Sequence, residues 1–147
     1  MEFPLEIKNI VGNLSYTKDD IGRSEDFVYI FENKYVLKIS KDIFKLTKEK
    51  EKNDWICKHI QGPKSLLLII HNNYIFYLRE CLQGKSLISK DLLNNPLLLI
   101  DILSNIITIL RNLDNEECPF KSEENEGNDF VHGDLCLPNL FVNEKNE

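Results

Sequence analysis

Residues 26–39 read DFVYIFENKYVLKI, two short β-branched and aromatic runs broken at Glu32-Asn33-Lys34. Side chains of this kind fit a pleated, half-buried surface, and a brief polar break closes a tight antiparallel hairpin, so two strands are expected here. Lys38 falls in the second, among the apolar residues Val36, Leu37 and Ile39. The following segment, DIFKLTKEKEKNDWICKHI (42–60), carries strong helix formers and places its apolar residues mainly near its two ends. It predicts a helix of several turns that stops before Gly62-Pro63. Leu66–Ile70 and Tyr74–Leu78 flank His71-Asn72-Asn73, turn residues that predict a second hairpin. The first half therefore reads β-β-α-β-β.

Beyond it, residues 81–85 form a short connection containing Gly84, and NPLLLIDILSNIITILRNL (95–113) opens with an asparagine cap and a proline at the first helical position. Its long apolar run predicts a helix buried over much of its circumference. Residues 114–129 hold seven carboxylates and one lysine (DNEECPFKSEENEGND), the composition of an exposed, loosely ordered connection. The remainder is FVHGDLCLPNLFVNEKNE (130–147), with a strand-like triplet at Leu140–Val142.

A chain of 147 residues with 42% apolar and 29% charged side chains is about one domain's worth, neither a disordered segment nor a large multidomain enzyme. The net charge of −6 provides no general field for a polyanion, so nucleic acid is not an expected partner and an anionic ligand needs a local cluster of cations or amides. A polycationic ligand finds the global field favourable. Four widely spaced cysteines without a CxxC pair, and no signal-like start, imply reduced thiols and a cytoplasmic protein. The stretch Pro96–Leu110 is interrupted by Asp101, Ser104 and Asn105, and no membrane span is expected.

His132-Gly133-Asp134 followed by Asn139 reproduces the spacing of the kinase catalytic loop, His-x-Asp-x-x-x-x-Asn. An aspartate so placed can orient a substrate hydroxyl or accept its proton. An asparagine five positions on can offer its amide oxygen to a magnesium ion bridging nucleotide phosphates. By itself His-Gly-Asp is also an ordinary turn sequence, and its weight comes from the β-β-α-β-β half before it, with Lys38 on a strand and Glu49 on the next helix. Such a pair fixes the direction of an ammonium that contacts phosphate. Against this, seven lysines fall between Lys34 and Lys52, any of which could be a solvated charge; the apolar neighbours of Lys38 favour function. Cys118, His132 and Cys136 match no structural-zinc spacing, Arg111 is explained by its place at a helix C-terminus, and His59 and His71 are assigned no role.

The sequence resembles the aminoglycoside phosphotransferases, in particular the kind that modifies a 3′-hydroxyl. HGDLCLPNLFV (132–142) is similar to that family's catalytic-loop signature, including the Leu-Pro before the asparagine. KEKEKNDWICKHIQGPK (48–64) resembles its helix ending in tryptophan and a glycine-proline exit, LRECLQGKSL (78–87) its inter-lobe hinge, and LRNLDNEECPFKS (110–122) the loop after its long helix. The similarity covers roughly residues 15–147.

The resemblance implies an α+β, protein-kinase-like fold: an antiparallel-sheet N-lobe with one helix over residues 1–80, a hinge at 81–85, and a partial helical C-lobe at 86–147 with the catalytic loop at 130–142. It implies ATP or GTP with Mg2+ as cofactors, and phosphoryl transfer to a small molecule, an aminoglycoside, as in antibiotic resistance. Asp134 would be the catalytic carboxylate, His132 its support within the loop, Asn139 a magnesium ligand, Lys38 the phosphate contact and Glu49 its partner. Ser24 would belong to the nucleotide-positioning loop, and the backbone from Arg79 to Cys81 would meet the adenine edge.

Two departures accompany the resemblance. Only residues 121–131 lie between the Cys-Pro-Phe loop and His-Gly-Asp, where the family carries a helical stretch of several tens of residues, and the sequence reaches Glu147 without the second metal-binding aspartate. Turnover by this chain alone is therefore not expected. The alternatives are an inactive nucleotide-binding remnant, a kinase-like enzyme for another small hydroxylated molecule, or a fragment whose apolar helix drives self-association. The sequence does not indicate an oligomeric state.

Overall fold

The computed structural model describes residues 2–19, 26–113, 118 and 137–143. Two compact units divide the chain, Met1–Leu82 and Gln83–Glu147. In the first, helix α1 (Leu5–Val11) and strand β1 (Tyr16–Asp19) precede the expected hairpin of β2 (Phe27–Phe31) and β3 (Tyr35–Ser40). Helix α2 (Ile43–His59) and the second hairpin, β4 (Ser65–His71) and β5 (Tyr74–Glu80), follow. The five strands form one antiparallel sheet in the order β1-β2-β3-β5-β4. The sequence reading missed α1 and β1, so the unit is α-β-β-β-α-β-β.

Turn chemistry closes both hairpins. Glu32 and Asn33 lie at φ 45° and 55°, and Asn72 and Asn73 at 49° and 62°, the left-handed region required at both central residues of the turns that match strand twist. Asparagine tolerates this region well, whereas glutamate does not. Glu32 is held there by its carboxylate, which accepts from the Ser15 N–H at 3.1 Å and the Ser15 hydroxyl at 3.2 Å. The Ser15 amide is the leading cause that keeps the Glu32 carboxyl below its ordinary pKa.

Strand alternation sorts the side chains onto two faces. Phe31, Leu37, Ile39, Phe76 and Leu78 pack with Ile7 and Val11 of α1. Phe3 anchors that helix, its ring edge-on to Tyr16, Tyr29 and Phe31 at 5.5, 5.3 and 5.8 Å. The opposite face places Ile75 and Tyr77 against Leu46 of α2. Asp42 caps α2, accepting from the Lys45 N–H at 2.9 Å.

The second unit contains β6 (Lys85–Ser86), α3 (Lys90–Leu93), α4 (Pro96–Arg111), a 3-10 turn (Leu137–Asn139) and β7 (Phe141–Val142), which pairs antiparallel with β6. Asn95 caps α4 as expected, its side-chain oxygen accepting from the Leu98 N–H at 3.3 Å. Leu87, Leu92, Ile102 and Val142 form the core. Burial around α4 is narrower than its composition suggested: Leu97, Ile100, Ile107 and Ile109 are exposed, because only one side of the helix packs on that core.

Gly84 lets β6 approach β7. Its φ is +115°, and a Cβ there would lie 2.3 Å from the Val142 carbonyl oxygen, a backbone atom that cannot swing away. Gly84→Ala is expected to lower the unfolding free energy by about 1–3 kcal/mol. Urea denaturation checks this, and an unchanged midpoint would show that the close approach is not required.

Candidate functional site

The pleat of β3 sends Leu37 and Ile39 into the α1-side core, and hence Lys38 to the face that α2 covers. Its cross-strand partners are Val28 on β2 and Tyr77 on β5. On α2, Leu46, Glu49 and Asn53 follow the i, i+3, i+7 spacing of one helix face. Leu46 is fully buried against the sheet, and one turn later Glu49 meets the Lys38 ammonium in an ion pair. The two side chains retain 25% and 32% of their exposure, so the pair's contribution to stability is on the order of 1 kcal/mol. Its greater effect is directional. Glu49 takes one of the three ammonium donors and aims a partly exposed cation that an anionic ligand can still reach.

A second pair, absent from the sequence reading, lies beside it. Lys45 donates to Asp26 at 2.5 Å, and the Asp26 side chain is only 9% exposed. Burial pushes the Asp26 carboxyl up, but hydrogen bonds from Lys45 and Ser40 and the charges of Lys45 and Lys38 outweigh it and leave its pKa lowered. The hydrogen bond to Asp26 correspondingly raises Lys45. Asp26, Ser40, Lys41 and Lys45 contribute to the lining of an open cavity of about 410 Å³. Lys45 could not be told from its six neighbouring lysines by composition; only the fold shows which one faces a buried carboxylate.

Arg79 lies near the end of β5, opposite Val36 of β3 and Ser65 of β4, with one guanidinium N–H donating to the Glu80 carbonyl at 3.4 Å. The backbone amides that follow it are engaged within the unit: Glu80 N–H donates to Lys64 O at 2.9 Å and Cys81 N–H to Lys34 O at 2.8 Å. Asn139, an exposed residue, closes the 3-10 turn. That turn is tied to β6 and the residue after it: the Leu87 N–H donates to Leu140 O at 2.9 Å and the Ser86 hydroxyl to Leu137 O at 3.5 Å. Ser24, His132 and Asp134 lie outside the described residues. Of the sequence-predicted residues, the structure thus brings Lys38 and Glu49 together. Among the described residues no group of three or more His, Cys, Asp or Glu could hold a metal ion, and no helix is long and apolar enough to cross a membrane.

The fold is similar to that of solved aminoglycoside phosphotransferases. APH(3″)-Id from Streptomyces rimosus superposes with a TM-score of 0.64 at 18% identity, over 78% of this chain and 43% of the other. A thermostable APH(4)-Ia variant, solved as a ternary complex with ADP and hygromycin B, gives 0.52 at 14% identity, over 74% and 38%. A variant of the aminoglycoside 2′-phosphotransferase IIIa in complex with GDP gives 0.51 at 15% identity, over 75% and 40%. The chain spans about two fifths of these neighbours' length, and the likeness establishes a shared α+β, protein-kinase-like fold. No protein-family model and no curated protein matches the sequence.

The depressed Asp26 predicts a pH dependence. Its stabilisation is fully present above the ordinary aspartate value of about pH 4 and is lost as pH falls through the lower folded value. Asp26→Asn is therefore expected to be less stable than wild type near neutrality and to show a shallower decline below about pH 4. Thermal unfolding across pH 2–7 checks the slope; parallel wild-type and variant curves would remove Asp26 from the acid transition.

Proposed function

We propose that this chain binds ATP or GTP with Lys38 against the phosphates, and serves phosphoryl transfer to a hydroxyl of an aminoglycoside-like small molecule. The observation that carries this reading is the Lys38–Glu49 pair between β3 and α2, on a fold shared with aminoglycoside phosphotransferases. Asp134 is assigned to orient the acceptor hydroxyl and take its proton, with His132 bracing the loop. Ser24 is assigned to the loop over the phosphates.

The backbone from Arg79 to Cys81 is assigned to the adenine edge. Magnesium bound with the nucleotide would supply charge neutralisation at the phosphates. The amide oxygen of Asn139, an exposed residue, is a hard donor of the kind suited to it. The net charge of −6 favours a polycationic acceptor.

Calorimetric titration of ATP with magnesium is expected to give saturable binding that weakens about tenfold or more in Lys38→Ala, the loss of a charge-assisted contact. ADP release with a panel of aminoglycosides then tests transfer. Absence of saturable binding would overturn the reading, and binding without release would reduce it to a nucleotide-binding module.

A further inference from the structure

Glu49 reaches Lys38 only if α2 stands at one height along the sheet, and the apolar contact beneath it does not set that height finely. Leu46 against Ile75, Tyr77 and Leu68 is a non-directional contact. A shift of one residue along a helix is about 1.5 Å, enough to part an ammonium from its carboxylate.

Directional bonds occur one turn further on. The Asn53 side chain, four residues beyond Glu49, donates to the Pro63 carbonyl at 2.7 Å and to the Ser65 hydroxyl at 3.1 Å. Ser65 lies 2.8 Å from the Tyr77 hydroxyl, and Tyr77 is fully buried directly across from Lys38 in the β3–β5 register.

Burial pushes the Tyr77 phenol up to about 12, so it is neutral throughout the ordinary pH range. The Ser65 hydroxyl accepts from the Asn53 amide, and across the Ser65–Tyr77 contact either hydroxyl can donate. A ring of contacts thus runs from Lys38 on β3 to Tyr77 on β5, Ser65 on β4, Asn53 on α2, and back along the helix to Glu49 and Lys38.

We infer that Asn53, Ser65 and Tyr77 are positioning residues that fix the height of α2 on the sheet and thereby hold Glu49 on Lys38. Their effect on ligand affinity rests on the proposed nucleotide role of Lys38; their effect on the ion pair does not.

The test uses the full chain with isotope-labelled lysine, the Lys38 side-chain signal being assigned with Lys38→Arg and its unpaired position marked by Glu49→Gln. In Tyr77→Phe and Ser65→Ala the Lys38 signal should move toward that unpaired position, and affinity for ATP with magnesium should fall about fivefold, the worth of one hydrogen bond. Ser65→Thr, which keeps the hydroxyl, should restore both. Folded Tyr77→Phe and Ser65→Ala proteins with the Lys38 signal at its wild-type place would overturn the inference, even with a lower melting temperature. If Ser65→Ala does not fold, Tyr77→Phe and Asn53→Leu each remove one arm of the cluster and carry the same expectation. A moved Lys38 signal with ATP affinity insensitive to Lys38→Ala would retain the positioning role and reject the nucleotide reading; the converse would do the opposite.

Discussion

A lysine and a glutamate eleven residues apart, one on a strand and one on a helix, meet only when two independent periodicities agree. The pleat of β3 must turn Lys38 away from the α1-side core, and the 3.6-residue repeat of α2 must turn Glu49 toward the sheet. Much of the first unit follows from satisfying both. Leu37 and Ile39, on either side of Lys38, are wholly buried in the opposite face, so a one-residue slip of β3 would bury the ammonium and expose two core side chains. Leu46, one turn before Glu49, is buried for the same reason. The ion pair adds little stability, and the apolar residues around it supply most of the packing energy of this part of the sheet.

The charged groups around this pair divide the work. Lys45 is spent on the nearly buried Asp26 and Lys50 on Asp54, each within its own local contact. Lys38 is a quarter exposed and oriented, which combines charge with access. In a chain of net charge −6, an anionic ligand depends on a local cation of this kind, because the global field opposes it.

The hairpins, the central helix and the asparagine-capped α4 were legible because each is marked by local chemistry: Asn-rich turns, β-branched runs and a cap followed by proline. Helix α1 escaped because it is only seven residues long and its N-cap, Pro4, makes no side-chain capping bond. β1 escaped because three of its four residues are exposed, so no buried-exposed alternation marks it. Lys38 and Glu49 were readable from strand context and spacing. The Asp26–Lys45 pair and the Asn53–Ser65–Tyr77 cluster were not, since their members come from separate elements and each looks ordinary in its own segment. Composition overstated the burial of α4, because hydrophobicity records what a helix could bury, not how many neighbours it has.

The most direct test of the account is covalent. An acyl-phosphate derivative of ATP delivers its acyl group to a lysine amine held at the phosphates, and peptide mass spectrometry reads which lysine is modified. Labelling is expected to concentrate on Lys38 and to be suppressed by excess ATP. Labelling spread over Lys41, Lys45, Lys48 and the other lysines of this region, indifferent to ATP, would contradict the assignment of Lys38 to the phosphates.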